Sequence, residues 1–166
     1  MLFGLSAGAF TLVHVVISLV AIGSGMMVMV GMLSTRQVED WTLLFLSTSV
    51  LTSVTGFLFP HDRLLPSHVV GIVSLCALAL AIFALYGRGL AGAWRRVYAI
   101  AATLALYLNA FVAVVQAFQK LPTLHRLAPT RSEPPFVAAQ LAVLAVFATL
   151  GFLAVRRRQP TAKAAT

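Results

Sequence analysis

The side chains best equipped for chemistry are four histidines, His14, His61, His68 and His125, together with the amides of Asn109, Gln116 and Gln140. A neutral imidazole ligates haem iron, zinc or copper, and it exchanges a proton near neutral pH. His14 recurs with Thr11, Ser18, Ala21 and Gly25 at intervals of three and four, which puts them in one stripe on a helix. A small and polar stripe is a packing face, and an ionisable group at membrane depth is a functional-site candidate. The plainer role for His14 is a hydrogen bond to a hydroxyl of the next helix.

His68 heads a second stripe of close approach with Ser67, Gly71 and Ser74. His14 and His68 on facing helices form a candidate pair of ligands for haem b or for another metal ion. Glycine would make room for the porphyrin, and Arg63 or Arg126 would meet its propionates. His61 and His68 are seven residues apart, but Pro60 and Pro66 break the helix between them, so no shared face follows. His61 and His125 fit solvated loop positions. Asn109 and Gln116 share a face one heptad apart, with Lys120 a turn further on and Gln140 available from the next helix. With His14 they form a candidate ligand pocket. The same amides also serve as glue between helices.

Other chemistry has less support. Met26, Met27, Met29 and Met32 offer thioethers for Cu(I), although methionine is also common packing material. Cys76 is the single cysteine, so a thiolate pair is excluded. Glu39, Asp40, Asp62 and Glu133 all fall in loops, and no nucleophile–base pair, HExxH or glycine-rich phosphate loop is present.

The elements that must position these groups are membrane helices. Of 166 residues, 60% are hydrophobic and 10% charged, and the mean hydropathy is +0.97. A soluble domain carries about 25% charged residues. The pattern predicts an all-α integral membrane bundle of five transmembrane helices. They fill one domain, 1–158, with spans near 9–32, 41–59, 68–86, 97–118 and 135–155; residues 159–166 form a short basic tail. Each run has roughly the 20 residues that cross about 30 Å of hydrocarbon. The runs are too long for barrel strands, and no internal repeat stands out.

The net charge of +8 is concentrated in loops and tail, which fits anionic lipid at the C-terminal arginines better than nucleic acid. Arg36, Arg88, Arg95, Arg96, Arg156, Arg157, Arg158 and Lys163 face one side, against Arg63, Lys120, Arg126 and Arg131 on the other. The positive-inside rule then puts the N-terminus outside and the C-terminus in the cytoplasm. All four histidines fall in the outer half of that arrangement. Trp41 and Trp94 mark the inner boundary. Pro122, Pro129, Pro134 and Pro135 oppose a continuous helix and predict an ordered cap over the bundle mouth between the last two spans, with Arg126, Arg131 and Glu133 near its rim.

The stretches YLNAFVAVVQAFQKLPTLHRLAPTRSEPPF and TGFLFPHDRLLPSHVVG resemble a group of small, uncharacterised bacterial inner-membrane proteins. The resemblance implies a multi-helix inner-membrane protein, without an activity or any site residue. The expectation is a non-enzymatic or accessory membrane protein with an outward-facing polar pocket. The alternatives are a small haem b electron carrier linked to quinone and a small transporter. A homo-oligomer or a membrane-complex partner fits any of the three.

Overall fold

The computed structural model describes residues 6–34, 38–58 and 66–157. The 2–3 loop with His61, Asp62 and Arg63, the Arg36 turn and the tail from Arg158 lie outside the described residues. Six α-helices follow in order: α1 Ala7–Ser34, α2 Glu39–Phe57, α3 Pro66–Ile82, α4 Trp94–Lys120, α5 Pro122–Leu127 and α6 Pro134–Arg156. A π-helical turn, Phe83–Gly87, continues α3, and there is no strand among the described residues.

Helices α1, α2, α3 and α4 pack in cyclic order, and α6 lies against α4 and α1. The centre of the bundle mixes small side chains, Ala21, Ala77, Ala81, Ala99, Ala102 and Ala105, with Met29, Phe45, Leu78 and Leu106, while Leu12, Leu19, Leu43, Val69, Leu141 and Phe152 face outward. In lipid, large apolar groups gain nothing by going inside, so helices associate where small residues let their backbones approach. Gly25 shows how close that approach is: a Cβ there would lie 2.5 Å from Leu106 Cδ1 and 2.8 Å from the Phe45 ring.

Four helices are long and apolar enough to cross a membrane: Gly8–Ser34, His68–Gly87, Trp94–Lys120 and Pro134–Arg156. Helix α2 has 19 residues, enough for about 28 Å at 1.5 Å per residue. Its hydroxyls, recurring from Thr42 to Thr55, and its opening Glu39 and Asp40 leave it without an 18-residue stretch as apolar as those of the other four. Among the described residues four of the five expected spans thus meet that measure of length and hydropathy, and α2 is the one that does not.

The α3–α4 connection is tightly built. Arg88 N–H reaches Phe83 O and Leu90 N–H reaches Ala84 O, both at 3.0 Å. Gly89, Leu90 and Gly92 turn the chain at φ near +55°; the two glycines adopt this freely, and Leu90 does so at a cost of about 1 kcal/mol.

The α4–α6 connection contains one short helix, α5, of six residues, in place of a continuous one. Pro122 occupies the first turn of α5, where a missing N–H costs nothing, and Pro129 follows its end. Proline density thus marks this helix's limits. After it, Glu133 ties the turn together: its carboxylate accepts from Thr130 N–H at 3.0 Å, Thr130 O–H at 2.8 Å and Ser132 N–H at 3.1 Å.

Candidate polar seam and histidine site

Helix α2 is the polar spine of the bundle. Thr42, Ser49, Ser53 and Thr55 follow one another along its inward side, and each meets a different partner. The Tyr98 phenol of α4 bonds Thr42. Asn109 Nδ2 of α4 donates to Ser49 Oγ at 3.0 Å, Ser53 Oγ donates to Ser74 Oγ of α3 at 3.2 Å, and His14 of α1 meets Thr55 Oγ1 at 2.8 Å. Two hydroxyls outside the seam bond back to their own helix, Ser47 to Leu43 O at 2.7 Å and Thr48 to Leu44 O at 2.6 Å. That leaves the outer face of α2 to Leu43, Leu44, Leu51 and Val54.

The His14 contact has a defined polarity. Thr55 Oγ1 lies 2.8 Å from His14 Nδ1 and 2.7 Å from Leu51 O, so with its proton directed at Leu51 O the hydroxyl accepts and His14 Nδ1 carries the donated hydrogen. Nε2 is then the basic nitrogen of the neutral ring. His14 is half-buried, and Ala21 and Gly25 of its stripe are buried. The stripe ends next to Gly56, where an added Cβ would stand 3.9 Å from His14 Cε1. Lys120, at the end of α4, is within electrostatic reach of His14.

His68 belongs to the same end of the bundle. Its ring stacks on Phe57, with centroids 5.5 Å apart, and Gly71 one turn later leaves space for that phenyl: a Cβ there would be 3.0 Å from Phe57 Cζ. Both imidazoles therefore abut the last turn of α2, His14 at Thr55 and His68 at Phe57.

The remaining candidates divide. Asn109 is buried and sits in the seam; Gln116, on the same face two turns later, is exposed. The face is the same, but the neighbouring helices no longer cover it there. Gln140 is half-buried against α4, where its Nε2 donates to Phe111 O at 3.3 Å, away from His14's partner. Its Oε1 is buried without a partner, as is Thr52 Oγ1 on α2. A buried acceptor left unpaired costs about 1–3 kcal/mol, so both positions favour an incoming hydrogen-bond donor. His125 is exposed on α5.

The methionines do not converge. Met29 is buried, Met32 half-buried, and Met26 and Met27 are exposed. Among the described residues no group of three or more His, Cys, Asp or Glu is placed to hold a metal ion.

Sequence reasoning anticipated that α2 hydroxyls could bond across to neighbours but missed the pairing of Thr42 with Tyr98 and the unpaired Thr52. The recurrence of Ser49, Thr52, Ser53 and Gly56 at three, four and seven was the available signal. Comparison with protein-family models, curated proteins and solved structures finds no match to the chain.

Proposed function

We propose that this chain is a five-span protein of the bacterial inner membrane, N-terminus outside and C-terminus cytoplasmic, acting as a binding or accessory component and not as an enzyme. The observation that carries the reading is the two-sidedness of α2. Its polar groups turn inward onto Tyr98, Asn109, Ser74 and His14, while Leu43, Leu44, Leu51 and Val54 face outward. A helix whose hydroxyls bond neighbouring helices or its own carbonyls, while Leu43, Leu44 and Leu51 face outward, is suited to lipid despite its modest average hydropathy. Ser49, Ser53 and Thr55 are neutral and bonded to Asn109, Ser74 and His14, while Thr52 Oγ1 and Gln140 Oε1 are left unpaired, an arrangement suited to holding helices or a polar ligand at the His14 end. His14, Asn109 and Gln140 are the residues proposed to serve it, with Gln116 at its exposed edge.

Reporter fusions test the spans. Compartment-specific reporters at the N-terminus and after the last arginine should report opposite sides; the same side for both would mean that α2 does not cross.

A second reading, haem b held by His14 and His68, is favoured by both rings abutting the last turn of α2 and by the 2.8 Å contact of His14 Nδ1 with Thr55 Oγ1, since a ligating imidazole commonly bonds a second-shell group through its other nitrogen. Against it, Phe57 occupies the face of His68 and would have to move aside. A Soret band in protein expressed with haem supply, lost in both His14→Gln and His68→Gln and kept in His125→Gln, would select this reading; a colourless protein favours the first.

A further inference from the structure

The opposite end of the bundle holds a second site. We propose that the junction of α1, α4 and α6 binds the phosphate headgroup of an acidic phospholipid between Arg95 and Arg96. A pocket of about 60 Å³ opens there, lined by Met32 of α1, Arg95, Arg96 and Tyr98 of α4, and Ala154 and Val155 of α6. A single water takes up on the order of 10–15 Å³, so the pocket has room for a phosphate-sized group.

Charge and shape select the occupant together. Arg95 is half-buried and Arg96 exposed, and neither pairs with a carboxylate among the described residues, although Glu39 and Asp40 open α2 at this same end. Three more arginines belong to the segments that meet here: Arg88 lies 5.3 Å from the Trp94 ring, Arg156 lies 4.3 Å from the Phe152 ring, and Arg157 follows at the end of α6. Stacking on aromatic rings holds the first two in place. The pocket walls are otherwise apolar, and Leu90, packed on the core at φ +57°, closes the loop side. A free anion would meet only the arginines. A phospholipid satisfies them and also lays its acyl chains along Phe152 and Leu153, which are exposed on α6. Basic pockets between helix ends are suited to anionic headgroups.

The inference rests on the membrane reading for placing this end at a bilayer surface, but its test does not depend on the number of spans. Full-length protein, delipidated in a non-ionic detergent, is examined by native mass spectrometry with phosphatidylglycerol or phosphatidylcholine at equal concentration. The parent should retain phosphatidylglycerol and not phosphatidylcholine, and millimolar inorganic phosphate should fail to displace it. Each arginine near an anionic surface contributes about a fivefold effect, so Arg95→Gln with Arg96→Gln should weaken retention by about 25-fold. Arg126→Gln, at the other end, should leave it unchanged, and the paired change of both to Lys should restore most of it. If the double variant fails to fold, the exposed Arg96→Gln alone should still lose about fivefold. Equal retention of the two lipids by the parent, or undiminished phosphatidylglycerol binding by the Gln variants, overturns the site. Displacement by phosphate reassigns it to a free anion and overturns the lipid. Reporter fusions placing both termini on one side would revise the span count and leave this result standing.

Discussion

Asn109 and Ser49 are 60 positions apart in the chain and 3.0 Å apart in the bundle. Asn109 has 9% of its surface exposed and Ser49 none, so neither finds a substitute partner in solvent. Interhelical hydrogen bonds of this kind contribute about 0.6 kcal/mol on average and up to about 1.7. A double-mutant cycle with Asn109→Ala and Ser49→Ala, read by unfolding in mixed micelles, should give a coupling in that range. Strict additivity would show that the pair is adjacent without being coupled.

Gly25 and Gly23 should respond in opposite ways to alanine. At Gly25 the new methyl meets Leu106 and Phe45, whereas at Gly23 nothing lies within 4 Å. Overpacking a tight contact costs about 1–3 kcal/mol, and glycine to alanine in an open helical position gains about 0.5–1 kcal/mol. Thermal denaturation in detergent should therefore rank Gly25→Ala below the parent and Gly23→Ala level with it or above. A Gly25→Ala protein as stable as the parent would mean that α1 sits further from α2 and α4 than 2.5 Å contacts imply.

The Glu133 turn should depend on pH only in acid. Slight desolvation raises its carboxyl, but the hydrogen bonds from the Thr130 amide and hydroxyl, its own amide and the Ser132 amide prevail and hold it below the ordinary 4.5. A lowered folded value means that the carboxylate supports the turn fully above 4.5 and that this support fades as pH falls through the lower folded value. Exchange of the Thr130 and Ser132 amides, corrected for intrinsic rate, should be flat from pH 7 to about 5 and rise below 4.5. Glu133→Gln should raise exchange at neutral pH and remove the acid step. An acid step of the same size in that variant would assign it to another group.

His14→Gln and Thr55→Val separate packing from ligand binding. The Gln side chain can still donate to Thr55, so in a purely structural role it should cost under about 1 kcal/mol, with the protein folded and monodisperse. Thr55→Val removes the acceptor and should cost more than His14→Gln in the same denaturation assay. If His14→Gln abolishes a bound chromophore while melting within a degree or two of the parent, His14 is a ligand and its packing role is secondary.

Membrane class, helix-rich architecture and the approximate position of each long helix were legible in the sequence, because lipid demands about 20 apolar residues per crossing and period-four stripes mark faces. The inward stripe of α1 was legible for the same reason. Periodicity specifies a face, but only the neighbouring helices determine whether that face is covered. Asn109 and Gln116 share a face, yet one is buried and the other exposed. His14 needed a hydroxyl from α2, and several were spaced to supply it; helix offset and crossing decided on Thr55. The modest average hydropathy of α2 could not show that its polar atoms point inward, since an average over a helix discards direction. The arginine pocket is formed by residues more than a hundred positions apart, from Met32 to Val155, and exists only because α1, α4 and α6 end at the same level. Local sequence determined which helices form and which side of each can pack, whereas the pairing of side chains across them is a long-range property set by the order and depth at which the helices meet.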